Sequence, residues 1–231
     1  MVSYLKNKLP RHKKVHCIPG SVFETINLPE IDLAVKDQIK LVIPGTLDAR
    51  RRNYEFVFDL LESINQENLN VTITLLGGVN VTYGSHIVEK CKRYAIQNDN
   101  LHFFNKNIVD QPEFDRIMNE SHIAFIPSTI NTVIADDVPE TYGISISSGN
   151  LFDIIKHAKP CIIPLHLQVP NDIQSSCIKY YTAEDIMSFL KTLFVSPDSY
   201  LALKEQAFTN SQQYTIANIR QNNASLFIER T

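Results

Sequence analysis

The feature of the sequence that most restricts its fold is a regular alternation of short apolar runs with amphipathic stretches, about thirty residues per repeat. The apolar runs predict six strands, at Ile39–Ile43, Val71–Leu76, Leu101–Phe104, Ile123–Ile126, Cys161–Ile163 and Ile178–Tyr181. Strands this apolar, each separated by a helix, indicate a parallel sheet covered on both faces. Because crossovers between parallel strands are right-handed, we predict an α/β fold with a doubly wound, mainly parallel, Rossmann-like sheet.

The stretches between the strands have the periodicity of amphipathic helices. In the first of them, the apolar side chains that share one face are Tyr54, Val57, Phe58, Leu61 and Ile64. Further helices are predicted over about residues 84–97, 112–120, 150–159 and 183–194, and from residue 197 to 215 or beyond. Pro112 suits the first turn of its helix. Asn150, with Asp153 three residues later, is typical of an N-terminal cap.

The chain is predicted to have three parts. Residues 1–38 contain a basic run and a short strand, Val15–Ile18, and are interpreted as an arm or linker at the end of a missing N-terminal domain. Residues 39–195 form the α/β domain, and residues 196–231 form C-terminal helices. Ile216, Ile219 and Phe227 are apolar enough to need cover in that last part.

Composition excludes several classes of protein. The net charge of −3 argues against a nucleic-acid-binding protein. No apolar run approaches the ~20 residues that span a bilayer, and the first residues lack a signal-peptide pattern. The four cysteines contain no Cys-x-x-Cys pair. Reduced, structural thiols in a cytoplasmic protein are therefore the favoured interpretation.

Several common active-site motifs are absent from the sequence. The first strand is not followed by Gly-x-Gly-x-x-Gly, and there is neither a P-loop nor a Gly-x-Ser-x-Gly motif. The seven histidines show no metal-ligand spacing, and no Asp-x-Asp is present to hold a divalent ion. Neither a metal nor a cofactor is therefore expected.

The loop after the first strand, Pro44–Arg52, is the first candidate site. It brings Arg50, Arg51 and Arg52 to the start of a helix, where the macrodipole is already positive. One interpretation is a diphosphate bound by bidentate hydrogen bonds from arginine guanidinium groups and by backbone N–H groups near Gly45. The alternative is a solvated basic patch that Asp48 and Glu55 partly neutralise.

The second candidate site is the segment from Glu140 to Asn150, which joins a buried strand to a helix in a βαβ unit. Gly143 permits close backbone approach or a positive φ. Backbone N–H groups at such a junction point towards the sheet edge, where anionic ligands bind. A well-capped helix with no ligand would explain the same residues.

An ordered set of short motifs resembles a known family. The set comprises Pro44-Gly45 with its basic loop, Leu75–Gly78, Leu101–Asn105, Ile126–Ser128, Glu140-x-Tyr-Gly143 and the helix before Lys159-Pro160. It is similar to the C-terminal, donor-binding domain of GT-B glycosyltransferases, close to the retaining family 4 group. The resemblance covers about residues 14–194, and it is specific as an ordered set rather than motif by motif.

The resemblance implies a role for each matching position. Gly45, Thr46 and one of Arg50, Arg51 and Arg52 would hold the nucleotide diphosphate, while the segment that begins Asn105-Lys106 would contact the base. Glu140 would face the donor sugar beside Tyr142 and Gly143, and Glu140 and Arg51 would be the catalytic residues. The turn formed by Ser147, Ser148, Gly149 and Asn150 would face phosphate or ribose.

The function implied is transfer of a sugar from a nucleoside diphosphate sugar to a glycan or lipid-linked acceptor in polysaccharide biosynthesis. The acceptor would bind the missing N-terminal domain, which would also provide any contact with the inner face of the membrane. The resemblance further implies a retaining, metal-independent reaction. This chain alone would be incomplete for catalysis.

The sequence departs from the family pattern at two places. The family has a second glutamate eight positions after the first, where this chain has Ser148, and it often has Gly-x-Pro where this chain has Ala158-Lys159-Pro160. Because of these departures, a non-catalytic nucleotide-binding or interaction domain with the same fold is an alternative function for the chain. A nucleotide-sugar epimerase is a further alternative, although it too would need a second domain.

Overall fold

The computed structural model describes residues 10, 19–26, 33–133 and 138–226. Its main sheet has six strands: β1 (Ile39–Pro44), β2 (Val71–Leu76), β3 (Leu101–Phe103), β4 (Ile123–Phe125), β7 (Cys161–Pro164) and β8 (Cys177–Tyr180). The strand order is β3-β2-β1-β4-β7-β8, and every neighbouring pair is parallel. The predicted fold class and all six predicted strands are confirmed.

The helices occupy the predicted places. They are α1 (Tyr54–Gln66), α2 (Val81–Ala95), α3 (Gln111–Glu120), α4 (Asn150–Lys156), α5 (Ala183–Val195), α6 (Pro197–Gln212) and α7 (Ile216–Asn222). Pro112 lies in the first turn of α3, as predicted. Helix α2 begins three residues before Gly84 because the Asn80 side chain accepts hydrogen bonds from the backbone N–H groups of Thr82 and Tyr83.

Two hydrophobic clusters cover the two faces of the sheet. The cluster on one face includes side chains of α1, α2 and α5, and the cluster on the other includes side chains of α3 and α4. The five residues predicted to share the apolar face of α1 are all buried in the first cluster. Burial of this kind, at about 25 cal/mol per Å² of apolar surface, is the main stabilising contribution to such a fold.

A small antiparallel hairpin was not predicted. Its strands, β5 (Asn131–Val133) and β6 (Pro139–Thr141), pair with Thr132 opposite Glu140. The sequence of this stretch predicts a loop, because strands of three residues with mostly exposed side chains show too little alternation to be recognised. The hairpin places Glu140 on a strand rather than in a flexible connection.

The ends of the described chain pack together. The backbone of Phe23 exchanges hydrogen bonds with Tyr214 and Ile216, at 3.0 and 2.8 Å. Of the C-terminal residues predicted to need cover, Ile219 is buried and Ile216 is partly buried. The predicted strand Val15–Ile18 and Phe227 lie outside the described residues. The boundaries at residues 38 and 195 stay predictions.

Within the described ranges, no helix is both long enough and apolar enough to cross a membrane.

Candidate functional site

The sheet has a reversal of strand order that positions a crevice. Strands β1 and β4 are neighbours, and the chain winds outward from them in opposite directions. In open α/β sheets, ligands bind outside the carboxyl ends of the strands at such a switch point. The loops after β1, β2, β3 and β4, and the hairpin that follows β4, all begin at this edge. Both candidate sites predicted from the sequence therefore lie on the same side of the molecule.

The loop after β1 is packed backbone against backbone. Gly45 has φ +91°, a conformation that glycine adopts without strain, and its N–H donates to the Leu76 carbonyl at 2.7 Å. A Cβ on Gly77 would lie 2.3 Å from the Gly45 carbonyl oxygen, so a side chain is excluded there. The carboxyl ends of β1 and β2 are thus fixed relative to each other.

Arg52 connects this loop to helix α4 across the switch point. Its side chain is 6% exposed, and its guanidinium donates to the carbonyl oxygens of Pro44 and Thr46, at 2.6 and 2.5 Å. A third bond reaches Asn150 Oδ1 at 3.1 Å. The Asn150 amide nitrogen in turn donates to the Pro44 carbonyl at 2.6 Å. Arg52 therefore stabilises the shape of the site and has little surface left for a ligand.

The predicted capping role of Asn150 is wrong. The residue at the N-cap of α4 is Gly149, which makes no side-chain capping bond. Asn150 is instead the first helical residue, and its amide is used by Pro44 and Arg52. The sequence pattern suggested a local contact, whereas the actual partners lie about a hundred positions away in the chain.

Arg50 is held by an acid and an aromatic ring. Its guanidinium makes two hydrogen bonds to Asp48, at 2.7 and 3.1 Å, and lies 3.6 Å from the centre of the Tyr83 ring. Burial would raise the pKa of Asp48, but the hydrogen bonds and charges of Arg50 and Arg51 hold it below its ordinary value. Asp48 is therefore ionised and neutralises one arginine, as the patch interpretation expected. Glu55 instead pairs with Lys90.

Arg51 is the most accessible of the three arginines. Its side chain is 45% exposed, and its Nε lies 3.8 Å from Asp48 Oδ2, beyond ordinary hydrogen-bond distance. The Arg51 carbonyl accepts a bond from the backbone of Thr129 at 3.0 Å, so the backbone is fixed while the guanidinium reaches the surface. Of the predicted phosphate-binding arginines, Arg51 is the one whose side chain is most exposed.

The hairpin after β4 is attached to the arginine loop. The Thr132 hydroxyl donates to the Arg50 carbonyl at 2.8 Å. Burial raises the pKa of Tyr142, and the charges of Arg51 and Arg52 partly oppose that shift while Glu140 adds to it. Glu140 is partly exposed on β6, two residues before Tyr142.

Gly143 follows Tyr142 with φ +83° and packs on a neighbouring loop. A Cβ at this position would lie 2.3 Å from the Gln168 carbonyl oxygen. Both the positive φ and the close backbone approach, predicted from the sequence as alternatives, are present.

The remaining predicted site residues are dispersed along the same edge. Asn105 and Lys106 are exposed after β3, and the Lys106 carbonyl accepts a bond from Val79 at 3.0 Å. Thr46, Ser147 and Gly149 are exposed. Ser148 is buried, with its hydroxyl 3.5 Å from Asn150 Oδ1. Ser148 therefore supports the interior of the turn rather than its surface.

Two carboxylates of the site were not predicted as functional. Asp48 orders the arginines, and the only signal in the sequence was its place two residues before Arg50. Asp153, in α4, has a pKa that burial raises to about 6, against the opposing charges of Arg52 and Lys156. Across the part of the chain that the structure describes, no group of three or more His, Cys, Asp or Glu side chains could hold a metal ion.

A cavity of about 430 Å³ adjoins the arginine loop. Its lining comes from that loop, the first turn of α1, helix α2 and the segment after β4: Ala49, Arg52, Asn53, Tyr54, Glu55, His86, Ile87, Ser128, Thr129 and Ile130. The cavity shows that the loops do not close completely over the amino end of α1.

Comparison with solved structures identifies the architecture. Over 84% of this chain and 96% of the other, the structure matches the C-terminal domain of a glycosyl transferase group 1 family protein, LpcC, from Francisella tularensis, with a TM-score of 0.56 and 12% identity. Sucrose-phosphate synthase from Thermosynechococcus elongatus matches over 97% of this chain and 55% of its own length, with a TM-score of 0.67 and 14% identity.

A third match is Anabaena HepE, solved in complex with UDP. It covers 84% of this chain and 50% of its own length, with a TM-score of 0.58 and 13% identity. The chain has the fold of a GT-B glycosyltransferase C-terminal domain. The resemblance drawn from the sequence is thereby confirmed at the level of fold.

The chain spans about half the length of sucrose-phosphate synthase and of HepE. No protein-family profile and no curated protein sequence matches the chain. The structural likeness thus extends well beyond what sequence similarity detects.

Proposed function

We propose that this chain binds a nucleoside diphosphate sugar at the carboxyl edge of its sheet and serves as the donor-binding half of a glycosyltransferase. The observation that carries this proposal is the exposure of Arg51, whose side chain is 45% exposed in the loop after β1 and whose backbone carbonyl is bonded to Thr129, in the segment after β4. The fold supports it, since HepE, which shares that fold, was solved with UDP and with UDP-glucose.

The charges of the site suit departure of a nucleoside diphosphate. Arg51 would contact the diphosphate, where negative charge develops as the sugar leaves, and preorganised cations stabilise such charge efficiently. Arg52 and Asn150 would act by holding the loop in shape, at no cost of reorganisation when the ligand binds. Glu140 would face the sugar from β6, next to Tyr142 and Gly143.

The other predicted contacts complete a binding surface along the same edge. Thr46 would offer its backbone N–H group to phosphate beside Gly45, whose own N–H is bonded to the Leu76 carbonyl, and the exposed residues Asn105 and Lys106 would receive the base. The exposed Ser147 and Gly149 are better placed to meet the ligand than the buried Ser148. We further propose that no metal ion is needed and that the sugar is transferred with retention.

A second domain would be required for transfer. Two of the matched proteins are about twice as long as the matched region, which supports a partner domain that holds the acceptor. We propose a glycan or lipid-linked acceptor in polysaccharide biosynthesis, at the cytoplasmic side of the membrane. The chain examined by itself would bind the donor without transferring the sugar.

One observation favours a second candidate, a non-catalytic nucleotide-binding domain. Ser148 occupies the position at which the family pattern has an acid, and it is buried rather than turned towards a ligand. The site would then lack one expected contact to ribose. Both candidates predict nucleotide binding, but only the first predicts transfer when an acceptor domain is supplied.

Isothermal titration with uridine and guanosine diphosphates and the corresponding diphosphate-sugars tests the proposal, with Arg51→Ala as the diagnostic variant. We expect the substitution to weaken binding by about 1.5 kcal/mol, roughly tenfold in Kd, the lower end for a charge-assisted hydrogen bond. Its free energy of unfolding should change by less than about 0.5 kcal/mol, because the side chain lies at the surface.

A matched control for this titration is Arg116→Ala, which removes an exposed arginine on α3 whose partner is Glu120. It should leave nucleotide affinity unchanged. Failure of every nucleotide to bind at millimolar concentration would overturn the proposal. Equal affinities of wild type and Arg51→Ala would remove Arg51 from the site.

A further inference from the structure

Two cysteines face each other across the outermost pair of parallel strands. Cys161 on β7 is directly opposite Cys177 on β8, and their sulfur atoms are 3.1 Å apart. Both side chains belong to the same hydrophobic cluster, so they lie on one face of the sheet. Neither residue is used by the proposed nucleotide site, which lies at the opposite ends of the strands.

The backbone geometry of this pair suits a covalent bond. Neighbouring strands are about 4.8 Å apart, and disulfides span Cα separations of about 4.4–6.8 Å. The sulfurs need to approach by only about 1 Å to reach the bonding distance of about 2.05 Å. A small change in side-chain torsion on each strand would suffice. By contrast, Cys91 is buried in α2 on the other face of the sheet.

The two thiols differ in a way that suits stepwise oxidation. Cys177 is partly exposed on an edge strand, whereas Cys161 is fully buried. The contact with Cys161 and the charge of Lys179 lower the pKa of Cys177 against the opposing effect of burial. The contact with Cys177, together with burial, raises the pKa of Cys161. Since the thiolate is the reactive form, Cys177 is the sulfur that meets an oxidant first.

We propose that Cys161 and Cys177 form a reversible disulfide, a redox modification site that ties the edge strand β8 to β7. With hydrogen peroxide as oxidant, the Cys177 thiolate attacks one peroxide oxygen, the O–O bond breaks, hydroxide leaves and a sulfenic acid forms. The Cys161 sulfur then attacks the Cys177 sulfur, the S–O bond breaks, and the hydroxyl leaves as water with the Cys161 proton. Two thiols are oxidised and one peroxide is reduced to water.

The bond would close the segment between the two strands into a covalent loop. That segment contains the 3₁₀ helix Asn171–Ser176, whose Ile173 carbonyl accepts from the Cys177 thiol at 3.1 Å. It also contains Gln168, which packs against Gly143. Oxidation would therefore restrain a loop that supports the hairpin end of the site. The proposal stands whether or not the chain binds nucleotides.

Mass spectrometry of the full chain tests this proposal. Cys161 and Cys177 fall in one tryptic peptide, residues 157–179, because Lys159 precedes a proline. After treatment with hydrogen peroxide and then an alkylating reagent, we expect this peptide to have lost two hydrogen atoms and to carry no alkyl group. Dithiothreitol should restore both alkylation sites. The oxidised protein should melt about 5 °C higher than the reduced protein.

Variants distinguish the pair from other thiol chemistry. A Cys17→Ser/Cys91→Ala protein retains only the proposed pair and should give the same product, whereas Cys161→Ser should leave Cys177 as a sulfenic or more oxidised acid. The proposal is overturned if wild-type Cys161 remains open to alkylation in denaturant after oxidation, or if Cys177 is found linked to a different cysteine or a second chain. Because the first readout uses wild-type protein, misfolding of a variant does not obscure it.

Discussion

Replacing Arg52 with alanine is expected to lower the free energy of unfolding by about 3 kcal/mol. The side chain is buried, and its three hydrogen bonds end on Pro44, Thr46 and Asn150. Removal takes the guanidinium away from all three acceptors; the Pro44 carbonyl keeps its bond from the Asn150 amide, but the buried Asn150 Oδ1 loses a donor, and an unpaired buried group costs about 1–3 kcal/mol. Relief of the desolvation of a buried cation offsets part of this loss.

Urea denaturation of Arg52→Ala beside Arg51→Ala measures this difference directly. The two residues are adjacent and chemically identical, but one is buried and the other is half exposed. Arg52→Lys should recover only part of the loss, because an ammonium group cannot reproduce the planar fork that reaches three acceptors. Equal stability of the two alanine variants would contradict the assignment of Arg52 as the connection between β1 and α4.

Gly78→Ala is expected to have a comparable effect for a different reason. A Cβ at Gly78 would lie 1.8 Å from the Asn107 carbonyl oxygen, so the loops after β2 and β3 would have to separate. The neighbouring hydrogen bond from Val79 to the Lys106 carbonyl, at 3.0 Å, resists that movement. Overpacking of this kind costs typically 1–3 kcal/mol, and contact with backbone places the expected loss at about 3 kcal/mol.

Gly149→Ala is the matched control for this substitution. A Cβ there would meet no atom within 4 Å, and the residue has φ −58° and ψ −31°, which alanine adopts readily. Its stability should be unchanged or higher by about 0.4–1 kcal/mol, because alanine restricts the unfolded chain. Chemical denaturation of both variants measures the two free energies of unfolding that are compared. A Gly78→Ala protein as stable as Gly149→Ala would show that the two loops can separate easily.

The sheet could be predicted from the sequence because its strands are buried on both faces. Apolar runs such as Ile39–Ile43 and Val71–Leu76 are too short for a buried helix and are typical of a strand buried on both faces. The strand order then follows largely from crossover handedness and the reversal typical of doubly wound sheets. Hairpin β5–β6 could not be predicted, because its short strands are stabilised by a hydrogen bond to the arginine loop and have no clear alternation of apolar and polar residues.

The site could be located from the sequence but not resolved residue by residue. Three consecutive arginines looked equivalent, yet the structure gives them different environments: Arg50 stacks on Tyr83, Arg51 reaches the surface and Arg52 is buried against Asn150. Those partners are 33 and 98 positions away from their arginines. Contacts at such separations depend on tertiary packing, for which a local pattern contains no signal.

A map of backbone amide chemical shifts on adding UDP to the isotopically labelled chain tests nucleotide binding at the carboxyl edge of the sheet most directly. We expect the shifts to concentrate at this edge, at Gly45, Thr46, Arg51, Asn105 and Gly143. The amides of α5, on the far side of the sheet from α4, should not move. Shifts centred elsewhere, or none at millimolar UDP and at millimolar concentrations of the other nucleoside diphosphates, would contradict nucleotide binding at this edge.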